Sequence, residues 1–252
     1  MSDAPQSPEQ RTALVRDYWR ESRRPLVSLA FVTPLLVIYE AGILLWPDAM
    51  RNGAEVWLRS LLDLLGFGQY FLLPVLTAGL LLGWHHVNRD PWRVPAQVLQ
   101  GMAGECTFLA LCLAVIGYLQ GVLLSSILPS VSISWTPPLG NVLTDLVARA
   151  IGFFGAGIYE EVLFRLMLLT GLVSLLHLVQ VPPRRAVWIA IGISSLLFSL
   201  AHYVGPQGDQ LRLYSFLFRF IAGGFFAILF VRRGFGIAAG THAFYDILVG
   251  LV

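Results

Sequence analysis

The sequence predicts an all-α, polytopic transmembrane helical bundle with seven or eight spans. Three observations lead there. Apolar residues make up 56% of the 252 and charged residues 13%, against about 45–50% and about 25% in soluble domains. The apolar residues gather in runs near the roughly 20 residues that cross a bilayer. The connections between those runs are short and carry Pro137, Pro138, Pro182, Pro183, Gly205 and Pro206, leaving no room for a soluble domain.

In chain order, residues 1–25 form a polar segment with Arg11, Arg16, Arg20, Arg23 and Arg24. The run 26–46 exceeds a signal-peptide core and has no small-residue cleavage site behind it, so it reads as a retained first span. Further spans are expected at 64–84, 103–128, 187–203, 211–231 and 235–252. Between the third and fourth of these lies an apolar stretch, Val142 to Leu178, containing Glu160, Glu161 and Arg165. As one helix it would run roughly 55 Å against about 30 Å of hydrocarbon. It is therefore either an interfacial helix plus a span, or two spans broken near Gly152, Gly155 and Gly157. Residues 26–252 thus form one transmembrane domain.

All seventeen basic residues are arginine. Their placement in the loops fits an N-terminus on the cytoplasmic side under the positive-inside rule, with the plasma membrane as the expected site. The loop 129–141 carries no arginine, Arg184 and Arg185 fall inside, Arg212 outside, and Arg232 and Arg233 inside. The net charge of +2 is small and dispersed, which argues against nucleic acid as a partner. Cys106 and Cys112, six residues apart in one run, point about 240° away from each other on a helix and are not expected to pair.

Function is concentrated in polar residues that lipid does not tolerate. A charge at mid-bilayer costs about 2.5–3.5 kcal/mol on insertion scales, so a retained one faces the bundle interior. Glu161 and Arg165 are four residues apart in the favourable order of acid before base, and are expected to pair. Glu160 points about 100° away from Glu161 and is left without a visible partner. His202 closes a later run, with Phe198 one turn before it. His242 and Asp246 share a face of the last run. A free carboxylate, two imidazoles and a second carboxylate from three helices can deprotonate water, hold a metal or stabilise an oxyanion.

Plainer readings exist for each part. Glu161–Arg165 can be a structural pair, His202 an interfacial histidine, and His242–Asp246 a local hydrogen bond. Their joint occurrence over roughly 85 residues favours a site. His85 and His86 read as solvated loop, His177 as interfacial. Glu40 and Glu105 are single acids in spans, and Arg219 is expected to pair with one of them. The HExxH, GxSxG and P-loop patterns are absent.

Glu160-Glu161-x-x-x-Arg165, Phe198-x-x-x-His202 and His242-x-x-x-Asp246 resemble the three motifs of the CAAX protease and bacteriocin-processing family, which includes the type II CAAX prenyl endopeptidases. The resemblance covers about residues 140–252. It implies an intramembrane endopeptidase acting on a membrane-associated peptide or protein. By that likeness Glu160 and His202 would activate water, and His242 and Asp246 would bind the oxyanion. Alternatively His202, His242, Asp246 and Glu160 would hold a divalent metal such as zinc. Glu161 and Arg165 would hold their helix in place. Prenyl proteases usually carry Asn where this chain has Asp246, a poorer oxyanion donor unless protonated and a better metal ligand. That departure bears on the residue's role and on whether the substrate is prenylated. Two rivals differ in class: a silent relative serving as an immunity or scaffold protein, and a transporter or proton channel relaying through Glu40, Glu105 and the histidines.

Overall fold

The computed structural model describes residues 17–46, 51–68, 70–127, 142–205 and 208–250, with the side chains of 142–145 left out. Arg11, Arg16, the loop 129–141 with Pro137 and Pro138, and Pro206 lie outside the described residues. The elements are α1 (Pro25–Leu45), α2 (Gly53–Leu64), α3 (Leu72–Asn88) and α4 (Ala96–Ile127), followed by α5 (Val142–Gly155). Two π-helical segments, Ala156–Glu160 and Val162–Leu169, lead directly into α6 (Thr170–Leu178). Then come α7 (Pro183–Ala201), α8 (Leu213–Arg233) and α9 (Phe235–Gly250). Among the described residues there is no strand.

Among the described residues, five helical stretches are long and apolar enough to cross a membrane: 25–45, 96–127, 146–178, 183–201 and 213–233. The expected seven or eight spans exceed that number because α3 has 17 residues and α9 has 16. At 1.5 Å per residue those helices reach about 24–26 Å, just short of the hydrocarbon thickness. Large apolar side chains face outward along α4, including Phe108, Leu111, Val115 and Leu119. That surface suits lipid, and its polar counterparts are inside.

Two departures from the sequence reading position the site. First, 142–178 is one continuous helical run, not broken at the glycines. Gly157 serves close approach instead: a β-carbon there would stand 2.6 Å from the Ala243 β-carbon and 2.8 Å from the Ala239 carbonyl oxygen. Small residues let backbones meet in this way. Second, residues read as a loop form α2. Asn52 caps it, its Oδ1 accepting from the Ala54 N–H at 2.8 Å. An N-cap amide of this kind satisfies one of the orphan donors of the first turn. The expected second span starts late, at Leu72, because Gly66 (φ 86°) turns the chain after α2.

Gly234 (φ 86°) separates α8 from α9 without a loop. That conformation favours glycine. The tight junction returns α9 through the bundle, where it packs on α4, α8, α1 and the first π-helical segment.

Candidate active site

The π-helical segments carry the first motif. Bonding from i to i+5 widens the turn, a distortion frequent at functional sites. The neighbours secure it: Ser194 of α7 donates to the Phe164 carbonyl at 2.9 Å. Arg165 donates through Nη2 to the Gly223 carbonyl of α8 at 3.0 Å. Its guanidinium lies 4.5 Å from the centre of the Phe198 ring.

Glu161 and Arg165 pair as expected, Nε to Oε2 at 3.1 Å, both fully buried. The other Glu161 oxygen accepts from His242 Nδ1 at 2.9 Å. That second bond was not expected. It joins the first motif to the third and leaves His242 Nε2 facing Glu160. Phe226 stacks on the His242 ring, centroids 4.3 Å apart at 12°, so the imidazole is held by an edge bond and a face contact together.

His202 is the residue after α7. Its Nδ1 donates to the Phe198 carbonyl at 2.8 Å, which fixes the proton on that nitrogen and turns Nε2 toward Glu160. Phe198, singled out only for sharing a face, therefore acts through its backbone, while its ring lies 4.9 Å from His202 and 5.9 Å from His242.

Glu160 Oε2 stands 3.9 Å from His202 Nε2 and 3.7 Å from His242 Nε2. It is buried and has no hydrogen-bond partner among the described residues. His242 Nε2 is also 3.6 Å from Asp246 Oδ2. Three helical stretches thus bring Glu160, His202, His242 and Asp246 together. Glu160 is not partnerless, however. Its Oε1 accepts from Asn52 Nδ2 at 2.8 Å, across 108 positions of sequence that no pattern links. A cavity of about 300 Å³ adjoins the carboxylate, lined by Asn52, Trp57, Glu160, Phe164, His202 and Asp209 among others.

Residues 142–248 match the family model described as type II CAAX prenyl endopeptidase Rce1-like. The site region is thus similar to that family. No match was found among curated proteins or among solved structures. The Rce1-like stretch contains all three motifs and the helices that carry them. It begins after α4, so α1 to α4, and Asn52 with them, lie outside the match. The resemblance read from the motifs is thereby borne out as a similarity over residues 142–248, and the long apolar helices make the chain a multi-pass membrane protein.

The metal expectation fares differently. Among the described residues no group of three or more His, Cys, Asp or Glu side chains is arranged to hold a metal ion. The expectation of a divalent metal such as zinc held by His202, His242, Asp246 and Glu160 is therefore not supported.

Several polar residues fall elsewhere than expected. Arg219 pairs with Asp209 in the loop before α8, because it lies near that end of the helix. Arg233, at the opposite end, takes Glu105 through two contacts of 2.6 Å. Glu40 accepts from the Tyr159 hydroxyl. His85 is fully buried beside Trp92, with ring centroids 4.7 Å apart, rather than solvated. His86 and His177 are exposed.

Proposed function

We propose that the protein is an intramembrane endopeptidase that hydrolyses a peptide bond in a membrane-associated peptide or protein. One observation carries the reading: the unpartnered Glu160 oxygen faces the Nε2 atoms of two histidines at 3.9 and 3.7 Å. These separations are too long for direct hydrogen bonds and suit a water molecule bonded to all three groups.

In this mechanism the water donates to Glu160 Oε2 and to His202 Nε2, whose ring proton is committed to the Phe198 carbonyl. The water oxygen attacks the scissile carbonyl carbon as Glu160 takes its proton. His242 in its protonated form donates from Nε2 to the resulting oxyanion, held by Glu161 behind and Asp246 beside it. The tetrahedral intermediate collapses, the C–N bond breaks, and Glu160 returns the proton to the leaving amine. Glu161 and Arg165 position the first motif and His242. The Rce1-like match supports the peptidase class, and the adjoining cavity offers space for an extended segment of substrate.

The test is cleavage by membranes containing the wild-type protein, its Glu160→Ala variant or its His202→Ala variant. Substrates are a farnesylated CaaX peptide and its unlipidated counterpart, with N-terminal profiling of the host's membrane proteins alongside. Both variants are expected to lose cleavage by at least about a hundredfold while remaining folded and inserted. Normal turnover by Glu160→Ala would dismiss the assignment.

A further inference from the structure

We propose that Asn52, the N-cap of α2 and outside the Rce1-like stretch, is a positioning residue that holds one oxygen of Glu160 so that the other faces both histidines. This deepens the hydrolase reading and, in its functional part, rests on it.

The orientation of the amide follows from its two bonds. Asn52 Oδ1 is occupied by the Ala54 N–H at 2.8 Å, which caps α2. Only Nδ2 remains to face the carboxylate, and it donates to Glu160 Oε1 at 2.8 Å. The cap therefore decides which end of the amide meets the carboxylate: the donor, with the acceptor turned away. A carboxylate held at one oxygen by a fixed donor has its remaining oxygen oriented, and Glu160 Oε2 is the atom aimed at His202 and His242.

Asn52 is itself pinned. Its backbone N–H donates to the Tyr39 hydroxyl at 3.2 Å. Tyr39 in turn donates to Glu55, which is fully buried and also pairs with Arg51 and Arg59. Tyr159, the residue before Glu160, packs its ring edge-on against Tyr39 with centroids 5.7 Å apart, and donates to Glu40. A buried polar cluster from α1 and α2 thus grips both the Asn52 backbone and the residue adjoining Glu160. The amide has little freedom to leave.

Two variants separate positioning from capping. Asn52→Ser retains a good N-cap but is too short to reach Glu160. Its kcat is expected to fall by at least about tenfold with KM little changed, since small misplacements of reacting groups are costly. Its Tm should stay within about 2 °C of wild type. A kcat within about twofold of wild type overturns the proposal.

The contact is also read without activity. Asn52→Asp keeps the cap and sets carboxylate against carboxylate, lowering Tm. Adding Glu160→Gln exchanges donor and acceptor across the same contact, and should restore most of that loss. Strictly additive Tm changes would mean that the two side chains do not interact, and would overturn the proposal whatever the activity. Glu160→Gln alone separates the two claims. If it cleaves normally the hydrolase reading fails, while the Tm cycle still judges the contact.

Discussion

Glu161 makes two contacts, an ion pair with Arg165 at 3.1 Å and a hydrogen bond from His242 at 2.9 Å. Helical spacing revealed the first, and nothing in the sequence revealed the second, because its partner lies 81 positions away on another helix. Both consequences can be measured. Arg165→Ala strands a fully buried carboxylate and should cost about 3–5 kcal/mol of stability, read as a lower Tm in detergent. Glu161→Gln should lower Tm and also reduce turnover, since it loosens the grip on His242. A Glu161→Gln protein that cleaved like wild type, however unstable, would show that this bond does not matter to the chemistry.

At the scale of elements, the site depends on how closely α9 approaches the π-helical segment before it. Gly157 permits that approach, with the Ala239 carbonyl and the Ala243 β-carbon where its side chain would be. His242 is the next residue to Ala243, so any separation of the two elements displaces the imidazole from Glu160. Gly157→Val should lose about 1–3 kcal/mol or more through overpacking and lower turnover further than its Tm accounts for. Unimpaired yield and cleavage would indicate that the elements can part without consequence. The sequence reading placed a break near this glycine because glycines interrupt apolar runs. The structure uses the missing side chain for contact instead, a choice that depends on what stands opposite.

For the molecule as a whole, polar clusters tie the chain's beginning to its end. Arg233 bonds Glu105 twice at 2.6 Å and donates to Ser22 at 3.0 Å, with its guanidinium 3.8 Å from the Trp19 ring centre. This cluster joins α4 and α8 to the residues ahead of α1. Glu105→Ala removes the carboxylate from a buried guanidinium and should cost several kcal/mol, while leaving the distant Glu160 pocket intact. Specific activity per folded molecule should therefore match wild type, even as Tm falls. A selective loss of turnover at unchanged Tm would contradict the separation of the two clusters.

Lipid is what made so much legible from the residues alone. A charge cannot remain in hydrocarbon without an interior to face, so composition determined the membrane class, and the stray charges and histidines on three apolar runs marked Glu160, His202, His242 and Asp246. The Glu161–Arg165 pair was equally visible, since four residues on a helix fix a face. Only the tertiary structure decided which partner each remaining group takes: Asn52 for Glu160, Glu161 for His242, Arg233 for Glu105 and Asp209 for Arg219. The reason is physical. Helix periodicity orients a side chain about its own axis and says nothing of which other helix lies across from it. That choice belongs to packing, where small residues such as Gly157 set the distance and buried donors must each find an acceptor.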